Sequence, residues 1–140
     1  MELPYMQPAY IAFGLFLIIT IYNYIKPQGS RNYTSLDTDS AKEMLEDNQN
    51  VVLIDIRNRD EYNVEHLRDA KNIPLDQLDK RHEKLPRDKD IVVYCQTGGK
   101  SIRAIRKLEV AGFSQLYHMH EGLRGWKKAG YPIRKRAGAK

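Results

Sequence analysis

Cysteine is almost missing from this chain: its 140 residues include one, Cys95. A lone thiol makes no intramolecular disulfide, and a reducing compartment preserves it. Charge is missing from two stretches. No charged residue lies between Leu3 and Ile25, and no acidic residue follows Glu121, although seven basic ones lie between Gly122 and Lys140. From Arg31 to Glu121 the 15 basic and 17 acidic residues nearly cancel, so the net charge of +5 belongs to the C-terminal end. No basic stripe interleaved with aromatic residues appears, which removes nucleic acid as a partner class. Internal repeats and low-complexity segments are also absent, leaving one domain of ordinary size and a short appendage.

The charge-free run from Leu3 to Ile25 is 23 residues long. As a helix rising about 1.5 Å per residue it would cross roughly 30 Å of bilayer hydrocarbon with some tilt. Tyr5, Tyr10, Tyr22 and Tyr24 fall where interfacial aromatic residues are expected. A cleavable signal peptide is disfavoured by the lack of a basic segment ahead of the run and by the bulky Tyr22-Asn23-Tyr24. A buried core helix is disfavoured by the lack of a polar face. The run therefore predicts a single-pass anchor over residues 1–26. Glu2 before it and Lys26 and Arg31 after it place the C-terminal domain in the cytoplasm. Pro27-Gln28-Gly29-Ser30 reads as part of a linker over 27–33, ahead of a folded domain over 34–133. The basic tail, 134–140, is either an anionic-lipid contact or a solvated terminus.

Within the folded domain the patterns alternate. Asp37 to Asp47 predicts a helix with Ala41, Met44 and Leu45 on one face and Asp37, Thr38 or Asp39 as its cap. Val51-Val52-Leu53-Ile54-Asp55-Ile56 and Ile91-Val92-Val93-Tyr94 read as strands covered on both faces. A short helix near Arg59–Tyr62, a brief strand at Asn72-Ile73 and a short helix marked by Leu75, Leu78 and Leu85 lie between them. Ile102, Ala104, Ile105, Leu108 and Ala111 mark a helix ending at Gly112, and Gln115–Met119 reads as the last strand. This alternation predicts an α/β fold, a parallel sheet of about four to five strands with helices on both faces and ligands beyond the carboxyl ends of the strands. Cys95 and Arg57 both fall at such ends and are expected to share a pocket.

Cys95 closes its strand and opens the turn Gln96-Thr97-Gly98-Gly99-Lys100, with helical pattern from Ser101. A strand that ends on a thiol and pivots through glycines into a helix aims amide N–H groups and the positive helix end at the sulfur, favouring thiolate. His66, His82, His118 and His120 invite metal or Cys–His hydrolase readings. His118-x-His120 lacks a cysteine partner, however, and nothing in the sequence pairs a particular histidine with Cys95. The C-x-x-x-x-x-R loop of cysteine phosphatases is excluded because Ser101 stands where it needs arginine.

From about Thr34 to Ile133 the chain resembles the rhodanese domain. The matching features, in order, are Leu53-Ile54-Asp55-Ile56-Arg57, Glu61-Tyr62 with His66, Ala70-Lys71-Asn72-Ile73-Pro74, Val92-Val93-Tyr94-Cys95, the turn through Gly98 to Ser101, Ala111-Gly112-Phe113, and Gly122 with Trp126. Departures are Glu65 and Glu121 where relatives commonly carry glycine, and Lys100 where many have arginine, which keeps the charge without the planar fork.

The resemblance implies a sulfurtransferase that carries sulfur as a Cys95 persulfide, from a small anionic donor such as thiosulfate to a thiol or protein acceptor, with no cofactor and no metal. The expected anchor adds the lipid bilayer as a partner and the place to meet an acceptor. Gln96, Thr97, Gly98, Gly99, Lys100 and Ser101 form the expected active loop. Thr97 and Ser101 are donors to the sulfur anion, unless Ser101 only caps the helix. Arg57 either attracts the anionic donor or pairs with a carboxylate at the rim, and Asp55 is expected to brace from behind. Trp126 is expected in the core. The rival reading is a membrane-tethered binding or regulatory module of the same fold with little turnover.

Overall fold

The structure, a computed structural model, describes residues 7–25 and 32–138. The chain divides into two compact units, Met1–Arg31 and Asn32–Lys140. The described part of the first is helix α1, Pro8–Ile25. Proline at the first helical position costs no hydrogen bond there, because that N–H would have no helical partner.

The expected membrane span is overturned at this point. Among the described residues no helix is long and apolar enough to cross a membrane. Helix α1 as described has 18 residues, about 27 Å at the helical rise. Lack of charge had stood in for apolarity, yet the run contains Gln7, Pro8, Thr20, Asn23 and several tyrosines. The single-pass topology and the cytoplasmic placement of the C-terminal domain rest on that span and fall with it. Glu2, Tyr5, Lys26, Arg31 and Lys140 lie outside the described residues, as does the linker up to Arg31.

The second unit is built on a five-stranded parallel sheet. Its strands are β1 (Tyr33–Leu36), β2 (Val51–Asp55), β4 (Lys71–Asn72), β5 (Asp90–Tyr94) and β6 (Leu116–Met119), in the order β1-β6-β5-β2-β4. A separate antiparallel pair joins β3 (Glu65–His66) to β7 (Arg134–Lys135), so two residues read as free tail are strand. The helices are α2 (Thr38–Asp47), α3 (Arg59–Val64), α4 (Leu78–Arg81), α5 (Gly99–Val110) and α6 (Gly122–Lys128).

Period-two alternation on the central strands divides the core between the two faces. Val52, Ile54 and Ile56 join Ile91, Val93 and Cys95 against Ala104, Ile105 and Leu108 of α5. Leu53, Val92 and Tyr94 face the other way, with Ala41 of α2 and Leu123 and Trp126 of α6. Trp126 is buried there and its Nε1–H donates to Pro132 O at 3.0 Å. Cys95 thus ends a central strand on the α5 face, which fixes the direction its sulfur takes.

Helix α2 starts on Asp37, whose carboxylate accepts from Ser40 N–H at 2.8 Å. Glu121, ahead of α6, accepts from Thr38 N–H at 3.1 Å and from its hydroxyl at 2.5 Å, tying α2 to the start of α6. The Ser40 amide holds the Asp37 carboxyl below its ordinary value, and the Thr38 hydroxyl and amide do the same for Glu121. A depressed carboxyl contributes stability that is present above its unfolded value, about 3.9 for Asp and 4.3 for Glu, and lost as pH falls through the folded value. The double variant Asp37→Asn, Glu121→Gln should therefore lose less Tm than the parent between about pH 5 and about pH 3. Equal losses across that window in thermal melts would remove these two carboxylates from the account.

Candidate active site

The turn after β5 wraps around the Cys95 sulfur. Gly98 N–H donates to Sγ at 3.1 Å and Ser101 N–H at 3.4 Å, while the Ser101 hydroxyl oxygen stands 3.6 Å away. Cys95 is 2% exposed. Ser101 is buried because it occupies the apolar stripe of α5 one turn ahead of Ala104 and Ile105, so the helix aims it at the end of β5.

Amides face the sulfur because the carbonyls are engaged elsewhere. Cys95 O accepts from Leu123 N–H at 2.8 Å and Gln96 O from Arg124 N–H at 3.0 Å, both in the first turn of α6. Gly98 O accepts from the Ser101 hydroxyl at 3.0 Å. Two glycines make this path available. Gly98 has φ +92°, and a Cβ there would lie 1.9 Å from His120 O. Gly122 has φ +59°, and a Cβ there would lie 2.4 Å from Cys95 O. A side chain at either position would displace the backbone that aims the amides.

The remaining loop residues Gln96, Thr97, Gly99 and Lys100 are exposed. Among the described residues the hydrogen-bond partners of Sγ are the two amides and Ser101, with Lys100 standing outside that shell. Lys100 instead opens a depression of about 400 Å³ whose lining includes Ile56, Asn58, Leu75 and Arg103. A larger one, about 710 Å³, lies away from the thiol between α3, β3 and β7.

Arg57 is 4% exposed and committed to Asp55. Its Nε lies 3.1 Å from both carboxylate oxygens, and Nη2 donates to Oδ2 at 2.6 Å and to Glu65 O at 2.7 Å. Its carboxylate partner is thus a buried one and not one at the rim. Nη1 reaches Gln96 Oε1 at 3.3 Å, so the pair still touches the loop. Burial lowers the guanidinium, but the hydrogen bond and charge of Asp55 outweigh it and leave it raised. Asp55 is fully buried and also accepts from Arg57 N–H at 2.9 Å, a brace behind the loop.

Sequence reasoning names His118 without joining it to the loop, where the structure places it. His118 shares its strand face with the buried Leu116 two residues earlier, and the register Val93↔His118 puts it on the Cys95 side of the sheet, whereas the exposed His120 lies beyond the end of β6. That period-two pattern was the available signal. Nε2 lies 2.8 Å from Ser101 Oγ and 3.0 Å from Gly98 O. Burial holds the imidazole below its ordinary value, against the opposing pull of the Gly98 carbonyl. His66, by contrast, stacks on Tyr62 with ring centroids 3.9 Å apart. Among the described residues no group of three His, Cys, Asp or Glu side chains could hold a metal ion.

Residues 37–129 match the family described as rhodanese-like domain. A sulfurtransferase of Allochromatium vinosum is 31% identical over 98 residues, covering 70% of this chain and 92% of that protein. A thiosulfate sulfurtransferase of Coxiella burnetii is 30% identical over 79 residues, covering 56% and 74%. The solution structure of a rhodanese-like domain from an Anabaena protein superposes with a TM-score of 0.68 at 28% identity, covering 76% of this chain and 85% of that one. A parallel sheet ending on an amide-ringed thiol, read with these relatives, means that the chain belongs to the rhodanese-like family.

Proposed function

We propose that the protein is a sulfurtransferase that carries sulfur on Cys95. The observation that supports it most is the pair of amides, Gly98 N–H at 3.1 Å and Ser101 N–H at 3.4 Å, directed at one sulfur. An ordinary thiol, with a pKa of about 8.5, is mostly protonated at neutral pH, and donors of this kind stabilise its anion. The thiolate attacks the outer sulfur of thiosulfate. A bond forms between Sγ and that sulfur as the sulfur–sulfur bond of the donor breaks, and its electron pair leaves with sulfite. An acceptor thiolate then attacks the terminal sulfur, takes it, and returns Cys95 to the thiolate. Neither step needs an external oxidant, a metal or a dedicated base. The Coxiella relative's name supports thiosulfate as donor.

Lys100 serves this reading from outside the sulfur's immediate shell. An exposed ammonium beside the loop mouth raises the local concentration of an anionic donor more than it alters the buried thiol, because solvent screens it. The buried Asp55–Arg57 pair holds Gln96 from behind and takes no part in the bond changes. One observation favours the rival reading, a binding module with little turnover: Cys95 is only 2% exposed.

Intact mass after incubation with thiosulfate separates the two. The parent should gain one sulfur atom and Cys95→Ser none; no gain with thiosulfate or with a polysulfide donor would leave the binding module standing. Lys100→Ala should slow loading by thiosulfate several-fold and flatten its salt dependence, while alkylation by neutral iodoacetamide changes little. Equal slowing of both reagents would place the ammonium's influence on the thiol itself.

A further inference from the structure

Building on the persulfide reading, we infer that His118 is a positioning residue: its Nε2–H serves both Gly98 O and Ser101 Oγ, so that the Ser101 hydroxyl, which donates to that carbonyl beside a neutral thiol, is free to turn to the Cys95 sulfur once it is an anion. Three groups compete for few protons here. The Ser101 hydroxyl has one proton, which it gives to Gly98 O at 3.0 Å while accepting from the Cys95 thiol at 3.6 Å; once that thiol ionises, Sγ becomes its second acceptor. Left to itself it takes the shorter bond to the carbonyl, and the sulfur keeps only its two amides. His118 changes that competition. Its Nε2 lies 3.0 Å from Gly98 O, an oxygen that only accepts, so the bond requires the proton on Nε2. The same N–H lies 2.8 Å from Ser101 Oγ, which accepts it and is left with its own proton to give.

The location supports this role. His118 is 7% exposed, packs edge-to-face on Tyr33 with ring centroids 6.2 Å apart, and stands beside Val93 in the sheet, two residues before Cys95. Burial keeps the ring neutral near pH 7, so it acts as a fixed N–H and adds no charge. The charged or titratable groups around the assembly are Tyr33 on β1, His120 beyond the end of β6, Lys100 on the loop, and Arg57 held by Asp55 behind Gln96. None of these is altered in the variants below.

The test reads the thiol without sulfur transfer, so it stands or fails separately from the persulfide reading. The pH dependence of iodoacetamide alkylation gives the apparent Cys95 pKa. Ser101→Ala should raise it by about one unit, the worth of one hydrogen bond to an anion. His118→Leu should raise it similarly, and the double variant no further, because the histidine acts through the serine. His118→Gln, which keeps an N–H donor of comparable reach, should restore most of the parent value. If His118→Leu does not fold, His118→Asn, polar but shorter, carries the same expectation. Additive shifts in the double variant, or a parent-like value in the Leu or Asn variant, would overturn the assignment. A shifted thiol in a protein that gains no sulfur from any donor would uphold it while removing the persulfide reading.

Discussion

The site depends on where a few backbone carbonyls go. A turn that leaves a strand presents C=O and N–H groups in alternation, and a thiolate tolerates only the second kind. Here the first turn of α6 takes Cys95 O and Gln96 O, and Ser101 with His118 takes Gly98 O. What remains facing the sulfur is a pair of amide donors, Gly98 N–H and Ser101 N–H, fixed before any reaction. Such preorganisation needs no reorientation when negative charge settles on the sulfur. It also makes α6 part of the site although none of its side chains reaches the thiol shell: its amides do the holding. The tie between Thr38 and Glu121 then anchors the start of α6 to α2.

Behind the loop, a buried ion pair does different work. Asp55 and Arg57 are almost wholly removed from water and saturate each other with a forked contact, while the Asn72 side chain donates to both Asp55 O and Arg57 O. Such a pair is a weak source of net stability, since desolvation opposes attraction. Its value here is geometric: it sets the end of β2 against Gln96 without adding free positive charge to the mouth. Among the described residues Lys100, on the first turn of α5, is a loop cation open to solvent, so the electrostatics divide between a buried neutralised layer and an exposed one.

Much of this was legible in the residues because it follows from periodicity. The apolar runs at Val51 and Ile91 gave the two central strands, and the stripe Ala104, Ile105, Leu108 gave the helix that covers one face. The glycines after Cys95 gave the turn. Strand β1 was not legible: Tyr33-Thr34-Ser35-Leu36 is an edge strand, and its two middle residues face solvent. The pair β3 and β7 is two residues long on each side and is specified by contacts far apart in sequence. Arg57 stayed open between two roles because a sequence does not show whether a guanidinium finds its carboxylate. His118 is legible as a residue of the last strand, on the face of Leu116, but nothing in the sequence shows that this face meets Ser101 and Gly98. At the N-terminus, lack of charge does not equal apolarity, because polar and aromatic residues interrupt the run.

The near-complete burial of Cys95 bears on which atom travels. Its inner side is filled by two amides and a hydroxyl, so under the proposed chemistry a second sulfur has room only outward, about 2 Å further along the side chain. The chain's own sulfur stays walled in, and only the cargo stands at the doorway. Bulky nucleophiles then meet the borrowed atom before they meet the cysteine, which spares the carrier from being consumed by its clients.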